Sequence, residues 1–213
     1  MAKDKQIARL LKADISMTSN LADIAKMLEI PHTCTEQELL THCLAAKKII
    51  DIYRATAHPV ATFWDMCSNL IESSLYGGKV YQHKCLTFSK ERIELPNGMS
   101  LLYPQLRREK DDKGRSQWVY GPNATKLYAG KVTNNVTQAV ARIVMTDGML
   151  RVSKKYPIAG TVHDELIAVV PDDEVADAKT WVLAQMTMEP RYMPGIPLAA
   201  DGGAHRRYGE AKQ

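Results

Sequence analysis

Gly160-Thr161-Val162-His163-Asp164-Glu165-Leu166-Ile167-Ala168-Val169-Val170 is the stretch on which the reading of the whole chain turns. Two apolar, β-rich runs, Ile158 to Val162 and Leu166 to Val170, flank a His-Asp-Glu triplet. Alternating and β-branched residues on both sides predict two short strands, with the triplet at the turn of a tight hairpin. A turn exposes side chains, so three consecutive ionisable residues are chemically available there. Adjacent carboxylates at a sheet edge suit a hard cation such as Mg²⁺, which takes oxygen ligands. A plain polar turn has the same composition. The remainder of the chain separates these two readings.

The 213 residues are enough to bury a real core, and 45% apolar with 24% charged is ordinary for a globular protein. A formal charge of +4 permits nucleic-acid binding without requiring it, because a local patch matters more than the total. Cys34, Cys43, Cys67 and Cys85 form no CxxC pair, which excludes a zinc or disulfide signature and suits a reducing cytoplasm. No apolar run approaches a membrane span and no signal-peptide core opens the chain. The expectation is a soluble, cytoplasmic protein.

From the start, helix-like patterns cover Asp4 to Ala13 and about Asn20 to Leu28, the second closed by Pro31. Thr35 and Glu38 have capping-box spacing ahead of Leu39, Leu40, Cys43, Leu44, Ile49, Ile50 and Tyr53, predicting a helix that ends near His58-Pro59. Another follows from Val60 to Leu75, stopped by Gly77-Gly78. Between Lys79 and Tyr103 the period falls to two. Arg92 to Leu95 and Met99 to Tyr103, joined through Asn97-Gly98, form a hairpin signal. Residues 105–126, with Arg107, Arg108, Lys110, Asp111, Asp112, Lys113 and Arg115, read as a solvated loop of mixed sign.

The longest helix signal runs from Gly130 to about Lys154, with Val132, Val136, Val140, Ile143, Val144 and Leu150 on one side. Lys131, Asn135, Gln138 and Arg142 recur at steps of four, three and four on another face, and Asn134 lies one turn ahead of Gln138. Amides donate and accept at once, as contact with base edges in a minor groove requires, while Lys and Arg neutralise phosphate. A solvated polar face is the competing reading of this row. Beyond the triplet, Pro171-Asp172-Asp173-Glu174 starts a further helix with Asp172 as its cap; these carboxylates read as structural. Val175, Ala178, Trp181, Val182 and Met186 supply that helix's apolar stripe. The fold class is therefore α+β, with a helical segment over 1–78 and a mixed portion over 79–213.

Three separated stretches together resemble the family A (polymerase I-like) DNA polymerases, especially their phage-encoded branch. Thr161-Val162-His163-Asp164-Glu165-Leu166 is similar to the palm motif called motif C. Gly130 to Arg142 is similar to the helix before it, which in the family tracks the primer-template minor groove. Leu198-Ala199-Ala200-Asp201-Gly202-Gly203, with Arg207-Tyr208-Gly209, resembles the C-terminal signature of the phage members. The Leu95-Pro96-Asn97-Gly98 hairpin fits that branch in type and order. Each is a weak motif alone; together and in order they cover roughly residues 35–210.

The resemblance implies a template-directed DNA polymerase whose C-terminal palm portion follows a fingers-derived helical segment. Asp164 would be a ligand of a catalytic Mg²⁺ pair, Glu165 would support it, and His163 would contact the primer near its 3′ end. Gln138, Asn134 and Asn135 would reach minor-groove acceptors, and Arg142 or Lys131 would serve the backbone. Deoxynucleoside triphosphates and primer-template DNA would be the substrates.

Two family motifs are absent from this sequence: the earlier palm aspartate strand, motif A, and the fingers helix that binds the incoming nucleotide. One aspartate cannot hold two Mg²⁺ ions. The expectation is a split polymerase, with a second chain supplying thumb, fingers and the motif A aspartate, and residues 1–18 as a docking element for it. A non-catalytic DNA-binding accessory, or a degenerate polymerase remnant, is the alternative. A metal-dependent nuclease is disfavoured, because no second acidic or histidine cluster stands at a suitable spacing.

Overall fold

The computed structural model describes residues 36–112 and 114–211. The helices expected over 4–13 and 20–28, the cap at Thr35 and the docking element over 1–18 lie outside the described residues. The chain divides into two compact units, residues 1–63 and 64–213. Its secondary structure is mixed α+β, with short antiparallel strands and four α-helices among the described residues.

In the first unit, α1 spans Glu36–Thr56, where a helix is expected. It ends where the Thr56 hydroxyl bonds back to the Ile52 carbonyl at 2.8 Å. Ile49, Ile52 and Tyr53 remain exposed on it. After Ala57 the next helix, α2 (His58–Leu70), begins with Pro59 in its first turn, where a missing N–H costs nothing. The division between the units falls within α2.

The sequence reading extends α2 to Leu75. The chain instead widens into a π-helical turn, Ile71–Tyr76. Gly77 closes that turn by donating its N–H to the Glu72 carbonyl at 2.9 Å. A Cβ at Gly77 would lie 2.8 Å from the Ser73 carbonyl oxygen, so the close backbone approach requires glycine. Ser74 in this turn is fully buried, and its hydroxyl has no hydrogen-bond partner among the described residues.

A four-stranded antiparallel sheet follows in simple order: β1 (Tyr81–His83), β2 (Leu86–Ser89), β3 (Arg92–Glu94) and β4 (Ser100–Leu102). Phe88 and Ile93 are register partners across β2 and β3, and both are fully buried. The β3–β4 hairpin has the expected place. Its turn bonds Gly98 N–H to the Leu95 carbonyl, with Gly98 at φ 80°.

Residues 105–126 are not the solvated loop that their charges suggest. They build a second antiparallel sheet, β5 (Arg107–Lys110), β6 (Ser116–Tyr120) and β7 (Thr125–Leu127). Some of its charges pair locally: Arg107 with Glu109 at 2.7 Å, and Arg115 with Asp111 at 2.7 Å. Arg108 lies 4.5 Å over the Trp118 ring. Val119 and Leu127 supply its buried residues.

The long helix α3 (Ala129–Val152) buries Val132, Val136, Val140 and Ile143 as expected, and adds Met145 and Gly148. Leu150, assigned to the apolar side, is exposed. After α3 the chain turns into the two-stranded sheet β8 (Ile158–Val162) and β9 (Glu165–Ala168), and then α4 (Val175–Met186). Val152, Tyr156 and Ala178 form a core against which Ile158, Leu166, Trp181 and Met186 pack. Thus α3, the hairpin and α4 share one apolar centre. Asp172 does not cap α4: a short 3₁₀ turn, Asp172–Glu174, precedes the helix, and no side chain bonds its first amides. Asp172 pairs with Arg206 at 3.1 Å, and Glu174 accepts from the Tyr156 hydroxyl at 2.8 Å. Both are structural contacts.

Candidate nucleic-acid and metal site

The β8–β9 hairpin is in register from Ile158↔Ala168 to Val162↔Glu165, with a bulge at Ala159. The turn is therefore only His163-Asp164, and Glu165 is the first residue of β9 rather than part of the turn. His163 has φ 52°, the left-handed region that tight hairpins require at their first central residue. For a residue with a Cβ this costs on the order of 1 kcal/mol, which the surroundings must offset.

Asp164 is exposed at the turn, and no side chain among the described residues occupies its carboxylate. Glu165 differs. Its Oε2 accepts the Tyr208 hydroxyl proton at 2.5 Å, which joins the C-terminal segment to β9. One further link holds that segment, Arg206 to Asp172, and within it His205 Nδ1 contacts the Glu210 carboxylate.

α3 reaches the same turn from the other side. Arg142 Nη1 donates to the His163 carbonyl at 3.2 Å, and Nη2 donates to Thr161 Oγ1 at 3.5 Å. Gln138, one turn back, donates to Asn134 Oδ1 at 3.3 Å. Asn134, Gln138 and Arg142 are all exposed and stand at steps of four, so they form one continuous row ending at the hairpin. Its length is about 12 Å at 1.5 Å per residue, roughly three to four base-pair steps.

The other two members of the expected row are placed differently. Asn135 is half-buried and donates to the Tyr103 hydroxyl at 3.2 Å. Tyr103 is buried, and that desolvation holds its phenol pKa above the ordinary value. Lys131 donates to the Lys126 carbonyl at 3.2 Å and lies 5.7 Å over the Tyr120 ring.

As a donor set for a divalent cation, Asp164 offers one free carboxylate of the right chemistry, and Glu165 offers a second that Tyr208 already engages. No group of three or more His, Cys, Asp or Glu side chains suited to a metal occurs among the described residues. Two adjacent carboxylates, one of them engaged by Tyr208, are too few to enclose a Mg²⁺ ion by themselves. Sequence reasoning missed Tyr208 and Thr161, since neither contact has a spacing signature. No family model matches the chain, and no curated protein or solved structure matches it either. No helix among the described residues is long and apolar enough to cross a membrane.

Proposed function

We propose that this chain is a subunit of a template-directed DNA polymerase of the family A type, acting in the cytoplasm, in which β8–β9 and α3 form the C-terminal part of the palm. The observation that carries the reading is the exposed amide pair Asn134–Gln138 on α3, one turn before Arg142, which bonds the turn bearing Asp164. An amide row lies along a duplex minor groove, where its donors meet acceptors common to every correct base pair. Such contacts sense pairing geometry without reading sequence. The turn then meets the primer end, with His163 beside the terminal nucleotide and Asp164 facing the reacting groups.

Asp164 would hold Mg²⁺, with Glu165 in support and the remaining carboxylate contributed by a second polypeptide carrying motif A, thumb and fingers. Metal ions held there would supply activation of the primer 3′-hydroxyl and charge stabilisation at the leaving oxygen of the nucleoside triphosphate. The chain's own contribution is to fix the turn, to lay the duplex along α3 and to present one carboxylate at the junction. The apolar residues exposed on α1 suit a surface that another chain covers.

Extension by the two-chain enzyme from matched and mismatched primers tests the role of α3. Gln138→Ala is expected to slow extension, most from mismatched ends. Equal rates for variant and wild type on both primers would return the row to a solvated face.

A further inference from the structure

We propose that Arg142 is a positioning residue: by clamping the His163 carbonyl it holds the His163-Asp164 turn in its left-handed conformation and so fixes where Asp164 stands. This rests on the polymerase reading of Asp164 and replaces the expectation that Arg142 contacts the phosphate backbone.

A hairpin of two short strands is marginal by itself, and β8–β9 pairs with no third strand among the described residues. Its turn is also strained, because His163 takes a φ of 52° without being glycine. Something outside the hairpin must hold it. Arg142 bonds on both sides of the turn's entry, to Thr161 Oγ1 at 3.5 Å and to the His163 carbonyl at 3.2 Å. The guanidinium is a planar fork with donors in fixed directions, so two acceptors define its orientation, which an ammonium cannot do.

The base of the clamp is rigid. Arg142 sits between buried Val140 and Ile143 on the longest helix described, and Nη1 also lies 3.5 Å from Met145 Sδ. The second strand has its own tie, Tyr208 on Glu165. The turn is thus held from α3 through its first residue and from the C-terminal segment through the residue after it. Asp164 is the residue between these two anchors. Its backbone is fixed while its carboxylate stays free, which is the preorganisation a metal ligand requires.

The test uses the full chain, its Arg142→Gln and Arg142→Lys variants, the double variant Arg142→Gln/His163→Gly, and Arg151→Gln as a control. Arg151 grips the Gln185 carbonyl, between α3 and α4. Amide exchange is followed at Val162, Asp164 and Glu165, and primer-template binding by the two-chain enzyme is measured across salt concentrations. Arg142→Gln is expected to speed exchange at these amides about tenfold, and Arg142→Lys to do the same, because local opening becomes easier. The control should leave them unchanged. Glycine adopts positive φ freely, so the double variant should return exchange to within about threefold of wild type. The slope of log affinity against log salt should be unaltered in Arg142→Gln. Unchanged exchange in that variant overturns the proposal, as does a slope reduced by about one, the signature of a lost phosphate contact. If the two-chain enzyme binds no primer-template at any salt, the polymerase reading fails, and the exchange data alone still decide the clamp.

Discussion

Tyr208 and Glu165, 43 residues apart in the chain, are joined by a 2.5 Å hydrogen bond from phenol to carboxylate. The contact makes the C-terminal segment part of the hairpin's support. Gly203 shows why that segment folds as it does: a Cβ there would collide with the Ala211 carbonyl oxygen. Only glycine lets the terminal turn close over it. Tyr208→Phe is expected to cost about 1 kcal/mol in urea unfolding. Gly203→Ala, which displaces the terminal turn, should release the same contact. Both variants should be cut by trypsin after Arg206 and Arg207 faster than wild type. Equal cleavage rates would mean that the segment is not held through Tyr208.

The two asparagines of α3 have different work, and mutation separates them. Asn135 donates to the buried Tyr103 hydroxyl, so Asn135→Ala is expected to destabilise the fold by about 1 kcal/mol. Asn134 and Gln138 are exposed, and their alanine variants should change stability by less than about 0.5 kcal/mol. A loss of stability from Asn134→Ala matching that of Asn135→Ala would contradict the assignment.

Tyr103 also sets an alkaline limit. Burial raises its pKa above the ordinary 10.0, outweighing the Asn135 hydrogen bond, which lowers it. A raised folded value means that the unfolded chain gives up this proton first. The stabilisation is therefore complete below about pH 10 and is lost as pH rises through the folded value. Tyr192 shifts the same way through burial and its bond to Asp147. Urea midpoints between pH 9 and 11 should fall less steeply for Tyr103→Phe than for wild type. Parallel profiles would remove Tyr103 from the account.

Ser74 offers a simple gain. Its buried hydroxyl has no partner among the described residues, so Ser74→Ala removes an unsatisfied group and adds helix propensity. The variant is expected to be more stable by about 0.5–1 kcal/mol in thermal or urea unfolding. Destabilisation by more than about 1 kcal/mol would show that the hydroxyl is satisfied after all.

Periodicity made the long elements legible. α3 declares itself through Val132, Val136, Val140 and Ile143, and the β3–β4 and β8–β9 hairpins through alternating apolar runs around short polar turns. What failed to appear was whatever depends on partners distant in sequence. Within the run Arg107-Arg108-Glu109-Lys110 the Arg107–Glu109 pair is local, but Arg108 reads as solvated because its contacts are distant, on Trp118 of β6 and Glu72 of the π-helical turn. Acidic residues at 172–174 match the rule for a helix start, yet Asp172 turns to Arg206 in the tail. The candidate site divides the same way. The triplet and the amides were visible, while the ties through Tyr208 and Arg142 depend on tertiary placement.

The central claim is that Asp164 is one half of a metal-dependent polymerase site. Primer extension tests it directly, with Mg²⁺, deoxynucleoside triphosphates and a labelled primer-template. The reactions contain this chain alone, a family A polymerase fragment that supplies thumb, fingers and the motif A aspartate strand, and both together, with wild-type protein and with Asp164→Ala. Extension is expected only from the wild-type pair; the variant pair should bind primer-template as well as wild type but add no nucleotide. Extension by the Asp164→Ala pair at the wild-type rate, or robust synthesis by this chain alone, would contradict the account.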